Sequence, residues 1–260
     1  MKTVIRKISP CFIRKSPPCF FGVALLFDLA LLRVCFIAGI LFSIGMNVCA
    51  DEVEVPLDKV HIDHSDLPSL QRGARLFMNY CSGCHSLKYM RYSTLSEGIG
   101  ILDASGHILE NVVKENLMFT GDKITDPIKT AMTKEEGAAW FGVSPPDLSL
   151  VSRSRGVNWL YTYLRSFYPD DKKPWGVNNK VFPDVAMPDV LVNFRTRLLA
   201  EPDGHAKFDA SIVDLVNFLS YVGEPMQLKR QRIGVWVMLF LGIFFIFAWL
   251  LKREYWKDVH

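Results

Sequence analysis

Beyond residue 50 this sequence has only two cysteines, Cys81 and Cys84, although the chain of 260 residues contains six. The other four, Cys11, Cys19, Cys35 and Cys49, all precede residue 50. Once the front is removed, no thiol is left over for a disulfide, so a secreted fold held together by disulfides is excluded. Internal repeats and low-complexity segments are missing as well, which excludes solenoid and fibrous architectures. Basic charge is scarce in the middle. Residues 51–228 hold 18 Lys and Arg against 24 Asp and Glu, a net −6, and the overall +3 comes from the two ends. That distribution argues against nucleic acid as a partner and leaves room for a cationic protein.

What is abundant is apolar surface, at 50% hydrophobic residues, more than a purely soluble chain of this length needs. Residues 1–50 read as an export signal with a long basic front. An apolar run covers Val34–Met46, and Val48-Cys49-Ala50 is a small-x-small cleavage site before Asp51. The rival is an uncleaved anchor over Phe20–Met46. Asp28 and Arg33 weaken it, because charges near a bilayer centre cost ~2.5–3.5 kcal/mol each. A bipartite organelle presequence is a weaker rival. At the other end, Ile233–Leu251 carries no charge. At ~1.5 Å per residue it is ~28 Å long, enough to cross a bilayer as a helix. Basic residues flank it on both sides, so its orientation must come from the head. The division expected is a signal sequence over 1–50, an extracytoplasmic head over 51–228, a transmembrane anchor over 229–252 and a short cytoplasmic tail over 253–260.

The head reads as mainly α with long loops and a small β-hairpin. Ser69 caps a helix running to Tyr80 through Leu70, Gly73, Ala74 and Phe77. A second helix covers His107–Leu117, with Ile108, Val112 and Leu117 inward. Thr133-x-x-Glu136 is a capping box. Pro145-Pro146-Asp147 stops that helix and caps Leu148–Ser152, and Asn158 caps an aromatic helix over Trp159–Tyr168. Lys172–Pro188 is a loop. Val190–Leu199 and Ala206–Phe208 form the hairpin about the turn Glu201–Gly204. Asp209 caps a last helix from Ala210 to about Tyr221.

The chemistry is carried by Cys81-Ser82-Gly83-Cys84-His85, the pattern of covalent c-type haem attachment. Each thiol can add to one vinyl group of the same porphyrin, and His85 then falls beneath the iron. A thioredoxin-like dithiol would want a βαβ setting, and a zinc site a second Cys or His pair. The second axial ligand decides between electron transfer and an open site for gas sensing or peroxidase chemistry. Met78, Met90, Met118, Met132, Met187 and Met226 are the candidate thioethers, with His107 and His205 as rivals. Met187 is favoured because Val185-Ala186-Met187-Pro188 is an irregular, proline-bounded loop. Arg153 and Arg155, in an otherwise apolar segment, are candidate partners for the haem propionates.

In this ordered set the chain resembles the cytochrome c1 family of the ubiquinol–cytochrome c oxidoreductase (bc1) complex. The matching residues are Cys81–Ser86, Pro145-Pro146-Asp147-Leu148-Ser149 with Arg153 and Arg155, Phe182-Pro183 with Ala186-Met187-Pro188, and the single anchor placed last. Asn116–Lys123 further resembles the proteobacterial branch. The resemblance covers about residues 55–258. It implies one haem c joined to Cys81 and Cys84, iron ligated by His85 and Met187, Arg155 at a propionate and Pro146 packed against the ring. Trp159 falls where the family often has a Tyr. The implied role is electron transfer without substrate chemistry, from the Rieske iron–sulfur protein to a cytochrome c, beside cytochrome b. The implied setting is a dimeric, lipid-embedded complex with its haem domain in the periplasm of a bacterial inner membrane. The alternatives are another membrane-tethered c-type electron donor and an open-site haem protein.

Overall fold

The computed structural model describes residues 55–257. The expected signal sequence, its cleavage site and the last residues of the tail lie outside the described residues. In chain order the elements are α1 (Leu67–Tyr80), β1 (Leu87–Arg91), α2 (Tyr92–Gly98), α3 (Glu110–Asn116), β2 (Pro127–Ile128), α4 (Lys134–Phe141), α5 (Val151–Arg155), α6 (Val157–Arg165), β3 (Phe167–Pro169), β4 (Val177–Asn179), α7 (Val192–Leu199), α8 (Gly204–Gly223) and α9 (Gln227–Tyr255). β1 pairs antiparallel with β2, and β3 with β4. The fold is mainly α, as expected.

The core is the seam between α1 and α8. Leu70, Ala74 and Phe77 recur at helical spacing on α1 and are buried against Ile212, Leu215 and Phe218 of α8. Gly73 permits the close approach, since a Cβ there would stand 2.1 Å from the Asp214 carbonyl oxygen. Phe77 and Phe218 rings lie 5.7 Å apart. Arg72 forks onto the Asp214 carboxylate at 2.6 and 2.9 Å, which pins the register of the two helices. α6 packs on the same helix. Its Arg165 forks onto Asp209 at 2.7 and 2.9 Å and reaches Asp58 at 2.8 Å. Gly156, at φ 87°, makes the corner between α5 and α6.

Several local expectations are corrected. α1 is capped by Asp66, which accepts the Ser69 amide at 3.0 Å with Pro in the first turn. Ser69 is instead buried inside the helix and accepts from Asn217 at 3.0 Å. α3 is shorter than expected and turns Val113 inward, leaving Val112 exposed. α4 ends at Gly142 in a left-handed cap, before the prolines. Its Thr133–Glu136 capping box is present as expected. Asn158 caps nothing; it accepts the Val60 amide at 3.0 Å, tying the extended lead-in to α6. The hairpin expected over 190–208 is a helix–turn–helix, α7 to α8. Asp203, not Asp209, sits at the start of α8, with φ 58°. Asp209 is the Arg165 partner. The observed hairpin is β3–β4, inside the stretch expected as loop.

α9 is 29 residues long, with none of its central apolar stretch covered by the other described residues, and it is long and apolar enough to cross a membrane. Glu224, at the end of α8, accepts from Arg153 at 2.7 Å and from Arg230 of α9 at 2.6 Å. The Arg230 hydrogen bond, with the charges of Arg230 and Arg153, holds the Glu224 carboxyl below the usual range.

His64 stands in the same region, edge-on to Tyr221 at 6.1 Å, with Nε2 lacking a hydrogen-bond partner among the described residues. Burial lowers its pKa, against the opposing pull of Gln227, Asp63 and Glu224. The unfolded chain, with a histidine pKa of about 6.5, therefore takes up this proton first, and stability falls as pH drops below that value. The expected result is a melting temperature that declines from pH 7 to 5.5 and a shallower decline in His64→Gln, measured by thermal unfolding across that range.

Candidate functional site

α1 does not stop cleanly. The Cys81 and Ser82 amides both bond to the Phe77 carbonyl, at 2.8 and 3.0 Å. The Cys84 and His85 amides bond to the Cys81 carbonyl at 3.1 and 2.9 Å. This tight turn puts Cys81, Cys84 and His85 on the wall of one cleft at the helix end. Both cysteines are free thiols. Burial pushes the Cys81 thiol up to about 12, with Cys84 nearby adding to it, and burial also raises Cys84.

The turn is stitched to Pro145–Ser149. The Leu148 amide bonds to the Ser86 carbonyl at 2.9 Å, the Lys88 amide to Asp147 at 2.9 Å and the Tyr89 amide to Ser149 Oγ at 3.1 Å. Thr130 closes the other side, its hydroxyl donating to the Gly83 carbonyl at 2.6 Å. A residue before proline is held extended, so Pro145-Pro146 runs straight past the motif. The Pro146 carbonyl thereby lies 2.7 Å from His85 Nδ1. With the proton on Nδ1, Nε2 is left bare for a metal. Burial lowers the His85 pKa, partly offset by the Pro146 bond and the Asp147 charge, so the imidazole is neutral at neutral pH.

The opposite contribution comes from 181–188. Asn179, at 1% exposure, donates to the Tyr163 carbonyl at 2.8 Å and accepts the Val181 and Phe182 amides at 2.9 and 3.2 Å. Asn178 Oδ1 accepts the Asp184 amide at 2.9 Å. Asp184, at φ 62°, is also paired with Lys173. The loop so fixed brings Met187 to the cleft.

All six residues singled out from the sequence, Cys81, Cys84, His85, Pro146, Arg155 and Met187, line this one cleft. Of the other candidates, Met78 and Met90 are core, and Met118, Met132, Met226, His107 and His205 do not line it. Arg153 is taken by Glu224. The Arg155 guanidinium lies 5.2 Å from the Trp159 ring centre and 5.8 Å from that of Phe182. Trp159 stacks on Tyr163 at 4.8 Å and 9°. Tyr163, inside the helix expected to be aromatic, donates from its hydroxyl to Met187 Sδ at 3.4 Å. Burial raises its pKa well above the phenol range, so the hydroxyl is protonated. Asn179 was missed; the polar Asn178-Asn179 pair inside a supposed loop was its only signal.

The walls between these groups are apolar, built by Leu160, Leu164, Val185, Leu215 and Leu219 among others. The cleft encloses about 1300 Å³ including its open mouth. Two thiols, a neutral imidazole with one free nitrogen, a thioether and a cation around a large apolar slot fit an iron porphyrin with acidic side chains. A helical head carrying this slot, followed by one helix long and apolar enough to cross a membrane, has the make-up of a c-type cytochrome. The Cytochrome C1 family profile matches residues 58–259. Cytochrome c1 of Allochromatium vinosum is 48% identical over 226 residues, covering 78% of this chain and 90% of that one. The ammonia monooxygenase gamma subunit of Nitrosomonas europaea is 41% identical, over 80% and 90%. Cytochrome c1 of Rhodospirillum rubrum is 30% identical, over 87% and 97%. The chain belongs to the cytochrome c1 family, the covalently haem-bearing electron-transfer subunit of the bc1 oxidoreductase complex.

Removing Asn179 tests the loop. Asn179→Ala takes the acceptor from the Val181 and Phe182 amides, at about 1–3 kcal/mol for each group left unpaired, and removes one of two donors to the Tyr163 carbonyl, which keeps the Ser166 amide at 3.1 Å. A stability loss on the order of 3 kcal/mol is expected in thermal unfolding. Limited proteolysis should cut faster within residues 170–190.

Proposed function

We propose that Cys81 and Cys84 hold the haem through two thioethers, that His85 and Met187 ligate its iron, and that Arg155 pairs with a propionate. The observation that supports this most strongly is the convergence of these five side chains on one apolar cleft. When bound, the haem supplies an iron that takes up and releases one electron. The Pro146 carbonyl fixes the tautomer and ring plane of His85. The asparagine-tied loop would hold the Met187 thioether as the iron's other protein ligand. Because both ligands are held by the fold, neither has to be gained or lost when charge changes. The leucine and valine walls exclude water and keep the local dielectric low. Arg155, in the corner made by the Trp159 and Phe182 rings, presents a guanidinium fork to a carboxylate.

In this reading the Rieske iron–sulfur protein delivers the electron and a cytochrome c removes it. α9 spans the bacterial inner membrane beside cytochrome b in a dimeric complex. The head stands in the periplasm after residues 1–50 are cleaved. The net −6 of residues 51–228 steers a cationic acceptor, an attraction that salt screens. A relative named as a monooxygenase subunit favours one second reading, a tethered c-type donor serving another membrane oxidoreductase. Co-purification separates the two: a bc1 subunit travels with a b-type cytochrome and an iron–sulfur protein.

The test is a visible spectrum of the purified membrane complex. A methionine–iron charge-transfer band is expected in the oxidised protein, with no carbon monoxide binding in the reduced one. Met187→Ala should lose the band and gain carbon monoxide binding. Ready binding by the unmodified protein would defeat the closed-site reading. N-terminal sequencing of the same band should start at Asp51.

A further inference from the structure

Among the described residues, the hydroxyl of Tyr163 has one hydrogen-bond acceptor, Met187 Sδ, at 3.4 Å. The ring that carries it has little freedom. It is stacked on Trp159 at 4.8 Å, and Phe167 meets it edge-on at 5.3 Å. Its own carbonyl is held by Asn179, the same side chain that orders the Val181 and Phe182 amides on the way to Met187. Donor and acceptor thus belong to one clamp, and their separation is set by packing and not by chance rotamers.

A thioether sulfur has two lone pairs and is a weak hydrogen-bond acceptor. One pair is available to a metal while the other accepts from a hydroxyl. We infer that the Tyr163 hydroxyl is a tuning residue, which raises the reduction potential of the haem iron by withdrawing electron density from the Met187 sulfur. This rests on Met187 being an axial ligand. Less density at sulfur means less stabilisation of the more positive oxidised metal. The O–H dipole points its positive end the same way, and in a low-dielectric cleft that field is weakly screened. Both effects favour the reduced state. The same hydrogen bond weakens the sulfur as a donor, so its removal should make the sixth ligand firmer.

Tyr163→Phe deletes the oxygen and leaves the stacked ring. Tyr161→Phe is the control: it lies on the same helix, does not line the cleft, and its ring faces Arg165 at 4.6 Å. Both are to be made in the full haem-loaded complex and followed by redox titration in the visible spectrum. In Tyr163→Phe the oxidised-to-reduced ratio at fixed ambient potential should rise about threefold. That is a drop of about 28 mV, at 59 mV per tenfold for one electron. The methionine–iron band should persist and survive to higher temperature, and Tyr161→Phe should change neither. An unchanged or higher potential in Tyr163→Phe would overturn the inference. Loss of the band in Tyr163→Phe alone would overturn it too, by assigning the hydroxyl to holding Met187 in place. Absence of the band from the unmodified protein would instead remove the ligand assignment, and the inference with it.

Discussion

Gly73 lets α1 approach α8 so closely that any Cβ would collide with the Asp214 carbonyl oxygen, and both working ends of the head depend on that approach. α1 ends in the cysteine–histidine turn. α8 ends at Glu224, whose carboxylate joins Arg153 of α5 to Arg230 of the anchor helix. The Arg72–Asp214 fork and the Phe77–Phe218 contact lock the register between the two helices. α6 then lies across α8 through Arg165 and Asp209, which sets where Trp159 and Tyr163 face. A slip of one helix past the other would move the haem motif relative to the methionine loop. Surface ion pairs contribute little to stability in general. Here their value is in fixing the geometry of the seam.

The seam is apolar, but the cleft edges are assembled by polar side chains bonded to backbone. Asp147, Ser149, Thr130 and Asn179 each satisfy backbone amides or carbonyls, in the bulged strand β1, the cysteine–histidine turn or the loop after β4. This is what irregular backbone near a core requires, since an unpaired buried group costs about 1–3 kcal/mol. It also explains why a slot lined by leucine and valine keeps its shape. The stitching runs outside the apolar wall, so no polar group has to enter it.

The parts of this arrangement legible in sequence are those with a fixed local grammar. Cys81-x-x-Cys84-His85, the Thr133–Glu136 box, the proline-bounded Met187 and the uncharged run before Leu251 each announce themselves within a few residues. The parts that were misread depend on partners far along the chain. Asp209 looks like a helix cap until Arg165 takes it, and Asn158 until the Val60 amide does. Glu201–Gly204 is a genuine turn signal, but a turn does not state whether strands or helices flank it. Short flanks such as Val192–Leu199 carry too little periodicity to decide. Tyr163 acts through one contact with Met187, 24 residues on, and Asn179 ties the loop that follows it back to the Tyr163 carbonyl, 16 residues before it; no pattern encodes those.

In the proposed reading, Arg155 is what lets the cleft select one end of its ligand. Arg72, Arg153, Arg165 and Arg195 each meet a carboxylate of the chain. Arg155 meets none among the described residues and is flanked by the faces of Trp159 and Phe182. Two aromatic faces favour a cation by about 0.5–1 kcal/mol apiece at exposed sites, less than a well-made carboxylate fork supplies. They also orient the guanidinium plane without using its donors. A cation so held at the rim of an apolar slot favours a ligand that is apolar in the middle and anionic at its edge. A porphyrin bearing propionates has that distribution, whereas a quinone or a lipid tail would leave the guanidinium without a counter-charge. In the proposed reading, the aromatic flank and the missing carboxylate act together to favour a single orientation of the ring in the cleft.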